Sequence, residues 1–218
     1  MTKIIPISVE PQEVSLTADP HTVLAEMMTA NLPQSRKQKN LSPVEINYQT
    51  TRNNRVALII APEWTDYSAP YGIARLASLS RAAGFATRSW DLNVGSKREE
   101  IKEFWSPAMD WRWTDPHYTE ILHPKLEPQL LAAVEEIVAW APTVIGFTVW
   151  YTNHACVNWL SKMFKQALPG VKIIYGGPQA TQGNIKEPNL ADYIVRGEGE
   201  VLFLKILEHI ENPTGHLD

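Results

Sequence analysis

The sequence predicts an α/β chain: a doubly wound, Rossmann-like (flavodoxin-like) parallel sheet preceded by an irregular N-terminal extension. Three observations predict it. Apolar runs of strand length recur at RVALIIA (55–61), TVIGFTVW (143–150) and VKIIYGG (171–177), the mark of strands buried on both faces. Amphipathic helical patterns alternate with these runs, which argues for parallel strands joined by right-handed crossovers. The length of 218 residues suits one domain plus an extension.

Taken in order, residues 1–54 read as an arm or linker, rich in polar residues and proline, with the basic patch Arg36, Lys37 and Lys39. One short helix is expected in it from Pro20 to Asn31, with Asp19 as N-cap. The domain proper is expected over 55–212. After the first strand comes the loop PEWTDYSAP (62–70), then a helix, YGIARLASLSRAAG, with Ile73, Leu76, Ala77, Leu79 and Ser80 on one face and Gly84 as its stop. FATRSWDLN (85–93) alternates and reads as a strand. The stretch from Val94 to Pro124, with Phe104, Trp105, Trp111 and Trp113, is too long for a plain connection and predicts an ordered excursion with short helices. LEPQLLAAVEEIVAWA (126–141) is an amphipathic helix, and a further helix from Asn153 to Leu168 is capped by Asn153. ADYIVRG (191–197) predicts a short fifth strand and EVLFLKILEHI (200–210) a closing helix.

Composition narrows the function. Twenty basic and 24 acidic residues leave a net charge of −4, which offers no electrostatic footprint for nucleic acid or an anionic membrane. No run of 18 apolar residues exists to span a bilayer, and the opening MTKIIPISVEPQEV carries no apolar core of signal-peptide length. The single cysteine, Cys156, excludes an internal disulfide framework and any cluster held by several thiolates of this chain. It suits a cytoplasmic location. Eight tryptophans suit a packed core, and equally a protein that holds a large flat ligand.

In doubly wound sheets, ligands bind beyond the carboxyl ends of the strands, so loops 62–70, 148–154, 176–183 and 197–200 carry the functional reading. They hold no P-loop, no G-x-G-x-x-G after the first strand and no G-x-S-x-G elbow. The six histidines show no metal-ligand spacing, and neither D-x-H occurrence (Asp19-Pro20-His21, Asp115-Pro116-His117) follows a buried strand. Gly176-Gly177-Pro178-Gln179-Ala180-Thr181 lets backbone approach a ligand closely, or makes a tight turn. Thr148-Val149-Trp150-Tyr151-Thr152-Asn153 offers hydroxyls and large rings to a ligand, or to the core. Arg196-Gly197-Glu198-Gly199-Glu200 places a carboxylate that can accept from ribose hydroxyls, or simply joins strand to helix. No catalytic residue emerges.

Together these segments resemble one family: the N-terminal cobalamin-binding domains of B12-dependent radical SAM enzymes, methyltransferases among them. The ordered set RVALIIAPEW, APYGIARLASLSRAAGFATRSWDLN, PTVIGFTVWYTN, VKIIYGGPQAT and ADYIVRGEGE carries the resemblance over residues 55–210. It includes the helix-opening phrase Pro70-Tyr71-Gly72. It implies cobalamin as cofactor, with Thr148, Val149, Trp150, Tyr151 and Asn153 at the corrin edge or tail. Gly176, Gly177, Pro178, Gln179, Ala180 and Thr181 would line the channel for the nucleotide tail, and Gly197 and Glu198 would reach the tail or a domain junction. The D-x-H-x-x-G that classical B12 domains carry after the first strand is replaced by Pro62-Glu63-Trp64-Thr65-Asp66-Tyr67-Ser68, so the implied state is base-off cobalamin with no protein histidine on cobalt and with Trp64 or Tyr67 over its lower face. The family's C-x-x-x-C-x-x-C is absent, so S-adenosylmethionine and a [4Fe–4S] cluster are expected only if a missing domain, or a radical SAM domain or subunit acting in trans, supplies their site. Alternatives at this stage are a stand-alone B12 carrier or sensory module, and a small flavodoxin-like enzyme.

Overall fold

A computed structural model of the chain describes residues 48–64, 70–93, 107–186 and 189–213. The chain divides into two units, 1–46 and 47–218. The expected helix from Pro20 to Asn31, the patch Arg36, Lys37, Lys39, and Tyr67 lie outside the described residues.

The second unit is a five-stranded, all-parallel sheet. Its strands are β1 (Arg55–Ile60), β2 (Ala86–Asp91), β3 (Val144–Thr148), β4 (Lys172–Gly176) and β5 (Tyr193–Ile194), in the order β2-β1-β3-β4-β5. Among the described residues the helices are α1 (Tyr71–Ala82), α2 (His123–Ala139), α3 (His154–Ala167), the single turn α4 (Pro178–Thr181) and α5 (Gly199–Glu211). The doubly wound expectation is met. Alternate residues of β1 explain the layering: Val56, Leu58 and Ile60 pack toward α1 and α5, while Ala57, Ile59 and Ala61 pack toward α2 and α3. Because β2 lies on one side of β1 and β3 on the other, the winding reverses between β1 and β3. That junction opens a crevice at the carboxyl edge.

Boundaries shift where local chemistry decides them. Gly84 ends α1 as expected, with φ +90° and its N–H donating to Arg81 O at 2.9 Å. α2 starts at His123, earlier than expected, because Pro124 is tolerated in a first turn; a π turn over Tyr118–Leu122 leads into it. Together with a 3₁₀ segment at Pro107–Trp113, these turns are the short helices expected of the excursion. β5 is far shorter than ADYIVRG: Asp192 N–H and Val195 N–H still bond the carbonyls of Ile173 and Tyr175, but Gly197 at φ +78° turns the chain away. Residues 48–54, assigned to the arm above, are tied to the sheet domain. Thr51 and Arg52 donate to Gly84 O, and the Glu211 carboxylate accepts from the backbone and side chains of Asn53 and Asn54.

Candidate functional site

The crevice between the sheet and the paired helices α1 and α5 holds a cavity of about 210 Å³. Its floor is one registered row across three strands, Leu58–Gly146–Ile174. Its walls are Ile73 and Leu76 of α1 and Val195 and Phe203 on the α5 side. Gly146 creates the room: a Cβ built there would lie 2.9 Å from Leu58 Cδ2 and 3.4 Å from Phe203 Cε2. Toward the strand ends the lining changes to Thr148, Gly176 and Gly177, then Gly197, Glu198, Gly199 and Glu200 at the start of α5. Glu200 is held by Arg75 at 2.9 Å, a bond that links α5 to α1 at the mouth.

Of the residues the sequence singled out, Gly72, Thr148, Gly176, Gly177, Gly197 and Glu198 line this cavity. The other described ones do not, and each has a different place. Pro178, Gln179, Ala180 and Thr181 form the α4 turn that fixes the shape of the glycine loop: Gln179 N–H donates to Val149 O, and Thr181 Oγ1 accepts from Gly197 N–H at 3.1 Å. Gly177, at φ +91°, caps that turn against Thr148 and Val149. Val149 is buried in the opposite core layer, and its N–H donates to Gly176 O. Tyr71 opens α1 and is largely exposed.

Asn153 occupies the N-cap position of α3, but its side chain makes no cap bond there. It is fully buried and joins two strand ends: Oδ1 accepts from Trp150 N–H at 2.8 Å, and Nδ2 donates to Ala61 O and Thr148 O. Thr152 adds a bond to Glu63 O at 3.1 Å. The loops after β1 and β3 are thereby locked together. Above them the Trp64 and Trp150 rings meet at 4.8 Å, and both indole Nε1 atoms are buried with no hydrogen-bond partner. Tyr151 is half-exposed and donates its hydroxyl to the Asp110 carboxylate; burial, then Asp110 and Glu63, push that phenol up to about 12. A phenol so shifted stays protonated at neutral pH and serves as a tether, not a base.

The histidines divide as their positions dictate. His154 opens α3 and is nearly buried, with Nε2 unpartnered; desolvation lowers its pKa, Lys186 adds to that, and Asp115 opposes it. His123 bonds Tyr118 at the start of α2, and burial lowers it too, against Glu127. Neither stands in the loop after β1. Among the described residues no group of three potential ligands could hold a metal ion, and no helix is long and apolar enough to cross a membrane. Cys156 is buried on the α3 face, where desolvation pushes its thiol up to about 12.

Sequence reading missed Leu58, Ile73, Leu76, Gly146, Ile174, Val195 and Phe203 as cavity residues. Only Gly146, a glycine inside an apolar strand, carried a signal of its own.

The cavity joins an apolar floor to a polar mouth. A Cβ built at Gly72, Gly176 or Gly197 would meet no atom within 4 Å, so the lining faces open space. The buried indole N–H groups at the edge also want acceptors. The family model "B12 binding domain" matches residues 117–207, which include β3, β4, β5 and most of α5. Two solved structures of the radical S-adenosylmethionine methyltransferase TsrM from Kitasatospora setae share the fold. One holds tryptophan substrate and a SAM analog (TM-score 0.51, 16% identity, 74% of this chain and 26% of that chain). The other holds cobalamin and a [4Fe–4S] cluster (TM-score 0.50, 16% identity, 75% and 26%). This chain thus spans about a quarter of the length of those proteins. No curated protein matches it in sequence. The chain matches the B12 binding domain model over residues 117–207, less than half of its length, and that match supports cobalamin as its cofactor.

Proposed function

We propose that this chain binds cobalamin base-off, without a histidine on cobalt, as the B12 module of a radical SAM methyltransferase-type system whose cluster-bearing part is another domain or subunit. The observation that carries the reading is the apolar cavity at the β1/β3 reversal, lined mostly by residues of the B12-binding match and completed by Leu58 of β1 and Gly72, Ile73 and Leu76 of α1. When bound, cobalamin supplies a cobalt centre able to carry a methyl group.

The residues of this chain do the rest. Leu58, Gly146, Ile174 and Phe203 would receive the nucleotide tail, and Thr148 and Glu198 at the mouth would bond its sugar hydroxyls. Gly176 and Gly177 keep that path open. Trp64 and Trp150, whose rings meet at 4.8 Å at the two strand ends, would offer an apolar surface to the corrin. Tyr151, tied to Asp110, fixes the neighbouring rim. The segment where a lower histidine would stand reads Pro62-Glu63-Trp64, with no histidine through Gly72. With a single cysteine, the residues of this sequence cannot supply three thiolates to a [4Fe–4S] cluster, so S-adenosylmethionine chemistry would belong to another domain or subunit.

Incubation with hydroxocobalamin followed by desalting tests the reading. Retention of one corrinoid per chain with a base-off visible spectrum is expected. A folded but colourless protein would refute it.

A further inference from the structure

The polarity of the cavity is graded along the strands. Its inner row, Leu58–Gly146–Ile174, carries only apolar side chains and a glycine. The next same-facing row, Thr148 and Gly176, lies two residues closer to the strand ends, about 7 Å at the usual rise per residue. Polar side chains begin there with Thr148 and continue outward with Glu198 and Glu200. The backbone beside the inner row offers nothing either. Leu58, Gly146 and Ile174 are central ladder residues, and farther out Gly176 O and Gly197 N–H are already bonded to Val149 and Thr181. A heterocycle seated on the floor therefore finds no partner for a polar edge. It meets partners only where its sugar emerges.

From this gradient we infer that the cavity selects among cobamides by their lower base: it accepts a benzimidazole-type base with methylated carbocyclic edge and discriminates against a purine base such as adenine. The inference rests on the tail-in-cavity reading above. Adenine would bury an exocyclic amine and further ring nitrogens against Leu58, Ile174 and Phe203, and each unpaired polar group weakens binding. A benzimidazole keeps its hydrocarbon edge inward. Sites that leave buried polar groups unpaired reject the wrong ligand by about tenfold or more. Leu76, half-buried on α1 at the cavity wall, is the position where a polar group can be added with the least disturbance of the core.

The test compares equilibrium binding of three base-off probes to the full chain by visible absorption: cobalamin, an adenine-tailed cobamide, and tail-less cobinamide. Cobalamin is expected to bind about tenfold to a hundredfold more tightly than the adenine-tailed form, and cobinamide more weakly than cobalamin. The folded variant Leu76→Gln, which offers an amide to the purine, is expected to narrow the cobalamin preference severalfold. Equal binding of the two tailed forms, both above cobinamide, overturns the selectivity and leaves cobalamin binding standing. Cobinamide binding as well as cobalamin shows that the tail does not use the cavity and overturns the inference. No binding of any probe by folded protein overturns the function with it.

Discussion

Gly176→Leu separates ligand room from fold stability. Gly176 is the last residue of β4 and faces the same side as Ile174, into the cavity. Its φ is not in the left-handed region, and a Cβ built there meets no atom within 4 Å. A leucine should therefore fit the apo fold and cost little stability, within about 0.5 kcal/mol. It would occupy the route to the floor of a cavity of only about 210 Å³. A bicyclic base has roughly ten heavy atoms; at about 0.3 kcal/mol per atom, excluding it forfeits about 3 kcal/mol. That is roughly a hundredfold in Kd. The assay pairs a thermal melt with a cobalamin titration of the same sample. An unchanged melt with cobalamin affinity as in the wild type would refute the placement of the tail. A collapsed melt would refute the statement that Gly176 faces open space.

Other expectations follow from the same geometry. Asn153→Ala leaves buried polar groups at Trp150 N, Ala61 O and Thr148 O without their partner, a loss of about 2–4 kcal/mol. For a chain this size that lowers Tm by about 5–12 °C in a calorimetric scan. The Cys156 thiol, buried and pushed up to about 12, should resist thiol reagents in native buffer and react at once in denaturant; rapid native labelling would contradict its burial. His154 is held neutral by burial and Lys186 while the unfolded chain takes up its proton near pH 6.5. Below that pH the unfolded state binds more protons, so stability falls as pH drops from 7 toward 5, and His154→Gln should flatten that slope in denaturant melts.

Much of the architecture was legible because single residues announce it. The run at 55–60 could only be a strand buried twice, and Gly84 stopped α1 through its positive φ. The rim of the cavity was legible in the same way, since glycines at 176, 177 and 197 mark close approach or a turn. The cavity floor was not. Leu58, Ile174 and Phe203 read as ordinary core, and they line a crevice only because β3 pairs beside β1 and α5 returns to lie along α1. The role of Asn153 was hidden for a related reason. Its position predicted a helix cap, while its bonds depend on the β1 end arriving within reach. The tryptophan surplus likewise split in a way composition cannot show: Trp113 is core, Trp90 and Trp140 pair at the edge of the α2 face, and Trp64 meets Trp150 across two strand ends.

The central claim is cobalamin held at this edge with no protein histidine on cobalt, and the electron paramagnetic resonance spectrum of the bound cob(II)alamin form tests it most directly. The account predicts stoichiometric binding and a cobalt signal without nitrogen superhyperfine splitting. A three-line splitting from an axial nitrogen would contradict it.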